Sequence, residues 1–253
     1  MFLEERRQAI QALLQSVGRV FVTDLADRFG VSEVTIRADL QYLVDQGSAI
    51  RTYGGAIPAG FGGQELSLVR RRQRQAGEKV RIAVEAATHV TDGEAVFLDS
   101  SSTVLAILPY IKQRFDLTVV TNSLVVAQEL LGHPNVTVVM PGGTLHHDTV
   151  SLIDNLGLSV AERYNISKGF FGAHGLTLED GFTDVSEPEA RLKRSIVGLC
   201  RQVIALLDST KWGRAGVASF AGAADAGMVI TSAGPSWMVR QVRDLGVDVV
   251  CVD

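Results

Sequence analysis

Several residue types are scarce in this chain of 253 residues. The two cysteines, Cys200 and Cys251, stand among apolar residues, which excludes the disulfide framework of small secreted domains and predicts two buried thiols in a reducing compartment. No run approaches the ~18 apolar residues that a membrane-spanning helix needs. The first residues, Met1–Arg7, lack the apolar core of a signal peptide, which predicts a cytoplasmic protein with no membrane partner.

A surplus of positive charge is also lacking, because 24 Lys and Arg stand against 28 Asp and Glu. The deficit is uneven along the chain. Residues 1–81 carry 12 basic and 9 acidic residues, whereas residues 82–253 carry 12 and 19. Within residues 1–60 the count is 6 against 7, so the positive surplus lies in the run Arg70–Arg74. The net charge of -4 therefore does not exclude DNA, but it predicts few phosphate contacts and a shallow salt dependence.

An apolar fraction of 46% is enough for a substantial core. The composition changes near residue 60, where the Gly-rich segment Ala59–Gly63 precedes the arginine run. We therefore expect a first domain over residues 1–58, a linker over 59–76 and a second domain over 77–253.

The first 58 residues predict a winged helix-turn-helix domain. Amphipathic spacing predicts a helix over Glu4–Ser16, and Thr23 and Ser32 are typical N-caps for two further helices, over Asp24–Phe29 and to about Gln46. A glycine turn between two short helices is typical of helix-turn-helix units. The segment 47–57 predicts two strands around a Gly-Gly turn, which would form the wing.

The third predicted helix has a face that fits a major groove. Opposite Ile36 this face carries Val34, Ala38 and Gln41, with Thr35 and Tyr42 on one side and Arg37 on the other. Polar and cationic groups there would reach base edges or phosphates, and Val34 could meet a thymine methyl. An ordinary solvated face is the alternative. The candidate residues for binding double-stranded operator DNA are Thr23, Ser32, Val34, Thr35, Arg37, Ala38, Gln41, Arg51 and Tyr53.

The rest of the chain predicts an α/β fold. Short β-branched, almost wholly apolar runs alternate with helical stretches, at residues 95–98, 117–120, 136–140, 169–171, 203–207, 228–230 and 247–250. Such runs are typical of parallel strands covered on both faces, which predicts a doubly wound, mainly parallel αβα domain.

Polar loops follow several of these strands, at the edge where doubly wound sheets bind ligands. They are Asp99–Thr103, Thr121–Ser123, Gly142-Gly143, the segment around His174, and Asp208–Lys211. Hydroxyls and free amides before a helix suit an anion, and glycines allow close backbone approach. We expect a cleft for a phosphorylated sugar or polyol. The alternatives are that serines only cap helices and that His174 bonds a backbone carbonyl.

As a set, the motifs Glu5-Arg6-Arg7-Gln8, Phe29-Gly30-Val31-Ser32, Thr35-Ile36-Arg37 and Gly54-Gly55-Ala56 resemble the N-terminal signature of DeoR-type bacterial repressors. The resemblance extends over the whole chain. It implies a sensor domain similar in fold to ribose-5-phosphate isomerase that binds phosphorylated sugars or related metabolites. It also implies a phosphate-side loop at Ser100, Ser102 and Thr103, a second loop at Thr121–Ser123 and a third at Gly142-Gly143, completed by Glu187, Asp208 and Lys211.

Three positions depart from the family pattern. Ala38 stands where the family carries a second consecutive arginine, Ser101 where it prefers glycine, and His174 where it has aspartate. A DNA contact is therefore missing or moved, and a histidine can donate to an anionic ligand that aspartate would repel. The full set of effector-binding candidates is Asp99, Ser100, Ser101, Ser102, Thr103, Thr121, Asn122, Ser123, Gly142, Gly143, His174, Glu187 and Lys211.

The leading hypothesis is a repressor whose operator affinity depends on a phosphorylated effector. We expect it to act as a homo-oligomer, a dimer or tetramer, because so small a DNA-binding unit needs paired half-sites for specificity. We expect no cofactor and no catalytic residue. We also expect no metal, because the adjacent residues of His146-His147-Asp148 rarely converge on one ion and no further ligand is spaced nearby. One rival is a sugar-phosphate isomerase with an accessory DNA-binding module, for which Glu187 is a conceivable base. Another is a DNA-binding protein whose second domain senses nothing.

Overall fold

The computed structural model describes residues 3–17, 20–46, 48–52, 54–58, 68–146 and 149–253. The chain divides into two compact units, Met1–Ser67 and Leu68–Asp253. Among the described residues, no helix combines the length and the apolar character that crossing a membrane requires.

The first unit contains three helices, α1 (Leu3–Val17), α2 (Val22–Phe29) and α3 (Glu33–Asp45). Three short strands form an antiparallel sheet in the order β1-β3-β2, namely β1 (Val20–Phe21), β2 (Ala49–Thr52) and β3 (Gly55–Pro58). The core of the unit comes from one apolar stripe on each helix and includes Ile10, Leu14, Leu25, Ile36 and Leu40. This arrangement is the expected winged helix-turn-helix.

Two local predictions in this unit need correction. Thr23 is not an N-cap but lies in the first turn of α2, because the chain enters that helix directly from β1 and the amide of Val22 donates to Gly54 O at 2.8 Å. The turn of the wing does not contain both glycines. Gly54 lies in the turn with φ 76°, whereas Gly55 begins β3, where a Cβ would lie 2.0 Å from Val20 O. Residue 55 must therefore be glycine because β1 passes too close for a side chain.

The second unit has a seven-stranded sheet in which every neighbouring pair is parallel. Its order is β15-β14-β12-β9-β4-β5-β6. The strands are β4 (Ala95–Leu98), β5 (Leu117–Thr121), β6 (Val136–Val139), β9 (Ile166–Gly172), β12 (Gln202–Leu207), β14 (Met228–Thr231) and β15 (Asp248–Cys251). The helices are α4 (Leu68–Gln73), α5 (Ala76–Thr88), α6 (Ser102–Leu105), α7 (Leu108–Ile111), α8 (Leu124–Leu130), α9 (Leu158–Ala161), α10 (Glu187–Val197) and α11 (Ser236–Asp244).

Side chains alternate between the two faces of this sheet, as the period of a strand requires. Phe97 and Phe171 belong to one apolar cluster, and their neighbours Val96, Leu98 and Phe170 belong to the other. The predicted doubly wound αβα domain is thus confirmed.

The strand order reverses next to β4. From this strand the chain proceeds to β5 and β6 on one side, then crosses to β9 and continues to β12, β14 and β15 on the other. The carboxyl ends of all seven strands lie at one edge. A crevice forms outside these ends where the direction of winding changes, so the topology favours ligand binding between the loops after β4 and β9.

Two smaller antiparallel sheets were not predicted. One is the hairpin of β7 (Thr144–His146) and β8 (Ser151–Ile153), and the other joins β10 (Gly175–Thr177), β11 (Gly181–Asp184) and β13 (Ala218–Ala221). These strands have only three or four residues and include polar or glycine positions, so no apolar run in the sequence predicts them. Both sheets follow carboxyl ends of parallel strands.

Three further expectations differ from the structure. The segment after β4 is not one helix to Lys112 but the two short helices α6 and α7, because Pro109 has no amide hydrogen to bond Leu105 O and is tolerated only in the first turn of a helix, as it is in α7. The second unit begins at Leu68, inside the expected linker 59–76, since Leu68 is buried in the apolar core. Cys251 is exposed on the edge strand β15, whereas Cys200 is half-buried and burial raises its thiol pKa to about 12.

Candidate DNA-binding surface and effector site

The predicted recognition face of α3 is exposed. Val34, Ala38, Gln41 and Arg37 face solvent, and Val34 has 71% of its surface accessible. Arg37 Nη2 lies 2.6 Å from Glu33 Oε2 in an exposed ion pair that a phosphate could replace. At the start of the helix, Ser32 Oγ accepts a hydrogen bond from the amide of Thr35 at 3.2 Å, which confirms Ser32 as the N-cap.

Two arginines hold α3 in place from α1. Arg6 Nε lies 2.6 Å from Asp39 Oδ2, and Arg7 Nε lies 2.9 Å from Asp39 Oδ1. Asp39 is almost wholly buried, and Arg7 also stacks 3.8 Å above the ring of Tyr42. The motif Arg6-Arg7 therefore fixes the orientation of α3 against α1. In the wing, Arg51 is exposed, while Tyr53 lies outside the described residues.

Asp99 connects the loops after β4 and β9, at the switch point where the strand order of the sheet reverses. It follows β4, is fully buried, and its Oδ1 accepts from the amide of Ser101 at 2.8 Å. Its Oδ2 accepts from the amide of Gly172, at the end of β9, at 2.9 Å. A Cβ on Gly172 would lie 2.3 Å from Ser101 Oγ, so the two loops are in close contact. Asp99 therefore positions both loops with oxygens that are already engaged.

Lys193, on α10, is buried beneath the contact between these two loops. Its amino group donates to Gly172 O and to Asp184 Oδ2, each at 2.8 Å, and lies 3.0 Å from Asp99 Oδ2. Burial alone would lower the pKa of Lys193, but the charges of Asp184 and Asp99 hold it above its ordinary value. Burial alone would raise the pKa of Asp184, but Lys193, joined by the charge of Arg71, holds it below its ordinary value. Both groups are therefore charged in the neutral range.

Three of the six hydroxyl side chains in the first two loops, those of Ser101, Thr121 and Ser123, have partners within the protein. Ser101 Oγ caps α6 by accepting from the amide of Val104 at 3.2 Å, and Ser123 Oγ caps α8 by accepting from the amide of Val126 at 3.3 Å. Thr121 Oγ1 donates to Leu98 O at 2.7 Å. Asn122 differs from these, because its Nδ2 donates to Leu152 O at 3.2 Å while its buried Oδ1 has no hydrogen-bond partner among the described residues. Ser100, Ser102 and Thr103 are also buried at this edge.

The third loop follows β6 and requires glycine at two successive residues. Gly142 and Gly143 have φ of 92° and 132°, and a Cβ on Gly143 would lie 2.5 Å from Ile153 O. The hairpin after this loop begins a hydrogen-bonded chain from His146 Nδ1 through the hydroxyls of Thr149 and Ser151 to Glu189 Oε1 on α10. His147 and Asp148 lie outside the described residues.

The loop after β12 contacts the start of α5. Asp208 is buried and accepts from Thr210, and Lys211 ends the short 3₁₀ turn Ser209–Lys211. Lys79 on α5 is also buried, and its amino group donates to the carbonyl oxygens of Arg71 and Arg74. Burial lowers the pKa of Lys79 to about 8. The charge of Asp208 opposes this shift, and the charges of Lys211, Arg71 and Arg74 add to it.

The two remaining candidates are His174, which follows β9, and Glu187, which begins α10. His174 follows β9 at the crevice and is half-buried, and its backbone amide donates to Thr183 O at 2.8 Å. Glu187 is exposed at the first turn of α10 and pairs with Arg191 at 2.7 Å. Arg191 in turn lines a cavity of about 300 Å³ beside the third loop, with Thr144, Ile153, Asp154, Asn155 and Pro188. Among the described residues, no hydrogen bond or ion pair joins Glu187 to the loops of the crevice.

Family models cover both units. Residues 6–59 match the DeoR-like helix-turn-helix domain, and residues 74–233 match the DeoR C-terminal sensor domain. The chain belongs to the DeoR family. It is 33% identical over 257 residues to the uncharacterized HTH-type transcriptional regulator YulB of Bacillus subtilis, a match that covers 100% of this chain and 98% of that one. It is 28% identical to the glycerol-3-phosphate regulon repressor of Escherichia coli, with 94% of each chain covered.

Among solved structures, this DeoR-family chain is similar to ribose 5-phosphate isomerase A from Methanocaldococcus jannaschii. The TM-score is 0.40 at 14% identity, over 53% of this chain and 53% of that one. No inference about activity follows from a likeness of this size. As a member of the DeoR family, the chain is a transcriptional regulator with a helix-turn-helix and a sensor domain.

Four charged residues around this candidate site were not predicted, namely Arg71, Lys79, Asp184 and Lys193. The sequence holds a signal for two of them. Lys79 falls on the apolar stripe of α5 with Ile82 and Ala86, and Lys193 falls on that of α10 with Ile196. A charged residue on an otherwise buried stripe indicates a buried charge that needs a partner.

Proposed function

We propose that this DeoR-family regulator binds a phosphorylated sugar or polyol at the carboxyl edge of its parallel sheet, and that the ligand controls operator affinity. One observation carries the proposal. Asp99 and Lys193 both bond Gly172, and so hold the polar loop after β4 against the loop after β9 at the point where the strand order reverses. The name of the glycerol-3-phosphate regulon repressor, a relative over almost the whole chain, agrees with a phosphorylated effector.

In this proposal the residues have distinct tasks. The loop Ser100–Thr103, apart from the Ser101 amide that Asp99 holds, and the glycines Gly142 and Gly143 offer backbone amides to the phosphate. Lys211 adds a positive charge. Asn122 Oδ1 accepts a hydroxyl of the sugar or polyol, since this buried oxygen has no partner among the described residues. His174 donates to an anionic group. Asp99, Ser101, Thr121 and Ser123 position the loops through the bonds described above, and Glu187 contributes at most from outside the crevice.

For DNA, we propose that α3 enters the major groove with Val34, Thr35, Arg37, Ala38 and Gln41 toward the bases, while Thr23, Ser32, Arg51 and Tyr53 contact the backbone or the minor groove. Such a unit reads few base pairs, so two copies on paired half-sites provide specificity. The working form is therefore a homo-oligomer, a dimer or tetramer, in the cytoplasm, where the operator is accessible. Sedimentation equilibrium of the full chain tests this, and a monomer at micromolar concentration contradicts it.

The second candidate is a sugar-phosphate isomerase, which needs a carboxylate base beside the substrate carbonyl. The carboxylates near the crevice are already engaged, since Asp99 and Asp184 hold Lys193 and Glu189 accepts from Ser151. These partners support a regulator without catalytic activity. Incubation of the purified chain with pentose and hexose phosphates tests the point, and turnover of any of them would favour the enzyme.

A screen of phosphorylated sugars and polyols by thermal shift, each with its unphosphorylated counterpart, tests the sensor function. We expect a phosphorylated compound to raise the Tm of the chain, because a ligand that binds only the native state stabilises it. Any hit is then tested against operator DNA selected from a random library. No stabilisation by any member of the panel would favour the alternative in which the second domain senses nothing.

A further inference from the structure

A cavity of about 300 Å³ lies beside the third loop of the carboxyl edge. It is bounded by β7, β8, the loop after β8 and the first turns of α10, and is lined by Thr144, Ile153, Asp154, Asn155, Pro188 and Arg191. Its volume is typical of the smaller pockets that bind small molecules. Four of the six lining residues are polar. The cavity therefore offers polar contacts that the proposed function does not use.

The cavity adjoins the glycines of the proposed effector crevice. Thr144, which lines the cavity, directly follows Gly143 in the chain. A Cβ on Gly143 would lie 2.5 Å from Ile153 O and 3.7 Å from Asp154 Cβ, so the glycine loop packs against residues of the cavity wall. A ligand held by the amides of Gly142 and Gly143 would therefore extend into the cavity with the part of its carbon chain that lies beyond them.

Asp154 has an unusual backbone conformation for its residue type. Its φ is 109°, in the region that favours glycine and that other residues adopt at a cost. Its Oδ1 accepts from the amide of Asn155 at 2.6 Å, and no donor to its Oδ2 is found among the described residues. Strained residues that the surrounding structure holds in place are typical of ligand-binding sites. Glycine would fit this backbone without strain, so aspartate at residue 154 indicates a role for the carboxylate beyond folding.

The lining residues have free groups that suit hydroxyls. Asn155 Nδ2 donates to Ser195 Oγ at 3.1 Å, which leaves the Asn155 carbonyl oxygen, like Asp154 Oδ2, to accept. Arg191 uses its Nε and Nη2 on Glu187, at 3.1 and 2.7 Å, and keeps Nη1 to donate. A sugar hydroxyl both donates and accepts, whereas a phosphate has only acceptor oxygens and meets two carboxylates against one guanidinium here. The cavity therefore suits the hydroxyl-bearing end of a ligand and not its phosphate.

We propose that this cavity binds the hydroxyl-bearing end of the phosphorylated effector, and that Asp154 is its main specificity-determining residue. The inference rests on the proposed effector function and adds the site that selects among phosphorylated compounds. The phosphate lies at the crevice loops, and the carbon chain passes Gly143 and donates a hydroxyl to Asp154. A five- or six-carbon ester fills the cavity, which glycerol 3-phosphate, with three carbons, leaves largely empty.

Calorimetry of the full chain tests this with glycerol 3-phosphate and with longer esters of the thermal-shift panel, beginning with ribose 5-phosphate, glucose 6-phosphate and fructose 6-phosphate. We expect at least one longer ester to bind about 10-fold or more tightly than glycerol 3-phosphate, the gain typical of a hydrogen bond to a charged group. Asp154→Gly should weaken that ester by about 10- to 100-fold and change glycerol 3-phosphate binding by less than about twofold. Asp154→Asn keeps an accepting oxygen without the charge and should lose less.

Asp116→Gly is the matched control. Asp116 is exposed and also has a positive φ, 52°, but it precedes β5 at the opposite edge of the sheet. Glycine adopts positive φ freely, so both glycine variants should fold, and thermal unfolding checks this. Asp116→Gly should bind every ester as the parent does.

Three results overturn the inference while the effector function stands. Glycerol 3-phosphate could bind the parent as tightly as every longer ester, Asp154→Gly could bind the preferred ester as the parent does, or Asp154→Gly could weaken glycerol 3-phosphate and the preferred ester alike. The last result would show that residue 154 acts on the phosphate or on the shape of the loop. A parent chain that binds no phosphorylated compound of the panel overturns the effector function, and the inference with it.

Discussion

Lys193 Nζ lies 3.0 Å from Asp99 Oδ2 beneath the point where the sheet reverses its winding. The same amino group also holds Asp184 at 2.8 Å and the carbonyl of Gly172. One buried cation therefore connects α10, the loop after β4 and the end of β9. The shape of the proposed effector crevice depends on this connection.

Replacing Lys193 by Met should destabilise the native protein by about 3–5 kcal/mol, because it leaves two buried carboxylates without their partner. Lys168→Met is the matched control, since Lys168 pairs with Glu94 at 2.7 Å in a more accessible position. We expect the control to lose about 1 kcal/mol or less. Urea unfolding followed by circular dichroism measures both, and equal losses in the two variants would contradict a central role for Lys193.

The same pair predicts how stability depends on pH. Against the effect of burial, Lys193 lowers the folded-state pKa of Asp184, so the pair's stabilisation is present above the ordinary pKa of an aspartate, about 3.9, and is lost as pH falls through the lower folded value. The pKa of Lys193 is raised, so its contribution is present below about 10.4 and is lost at more alkaline pH. Unfolding free energies measured from pH 2 to 7 should therefore fall on acidification more steeply in the parent than in Lys193→Met.

The contact between Ser101 and Gly172 can be tested by a double-mutant cycle. Gly172→Ala places a Cβ 2.3 Å from Ser101 Oγ and should cost about 1–3 kcal/mol of stability. Adding Ser101→Gly removes the obstructing atoms and should restore most of the loss, since glycine is a tolerable N-cap. Gly132→Ala, where a Cβ meets nothing within 4 Å, is the control. Additive effects of Ser101→Gly and Gly172→Ala would show that the two loops do not meet as described.

Arg37→Ala should weaken operator binding by about 1–3 kcal/mol, or roughly 5- to 150-fold, through loss of a base or phosphate contact. Stability should change little, because the Arg37–Glu33 pair is exposed. Fluorescence anisotropy at fixed salt, with operator and scrambled DNA, measures the change, and Arg240→Ala on α11 of the sensor unit is the control. If Arg37→Ala and Arg240→Ala bind the operator alike, α3 does not read DNA through this residue.

Lys79 predicts a change of ligand affinity near pH 8. Burial lowers its pKa to about 8, so Lys79 is charged at pH 7 and mostly neutral at pH 9, whereas a phosphate ester is dianionic throughout. Binding of glycerol 3-phosphate should therefore weaken several-fold between pH 7 and 9, and less in Lys79→Gln, whose amide can still donate to the carbonyl of Arg71. Because the folded-state pKa is lowered, unfolding free energy should also rise as pH increases from about 8 to 10.5. The same pH profile in both proteins would exclude a role for Lys79.

The sequence predicts much of this architecture because the responsible signals are local. Amphipathic spacing indicates α1 to α3, and almost wholly apolar runs indicate the parallel strands whose carboxyl ends hold the polar loops. The signals are weaker for partners distant in sequence. The sequence around Asp99 does not predict that Gly172 and Lys193 are its partners, because they lie 73 and 94 residues further along the chain. The sequence predicts a linker around Arg71, because an arginine run after a Gly-rich segment is typical of a solvated connection. The structure differs, because burial of Leu68 places this helix in the sensor unit.

The central claim is that a phosphorylated ligand at the carboxyl edge controls DNA binding, and the most direct test is operator affinity measured with and without the ligand. The full chain and Lys211→Ala are titrated onto a selected operator in the presence of phosphorylated sugars and polyols and of their unphosphorylated counterparts. The account predicts that a phosphorylated compound changes the operator Kd of the parent by at least about fivefold, that its counterpart does not, and that Lys211→Ala binds DNA normally but needs more ligand. An operator Kd that no phosphorylated compound changes, or a Lys211→Ala response at the parent's ligand concentration, would contradict it.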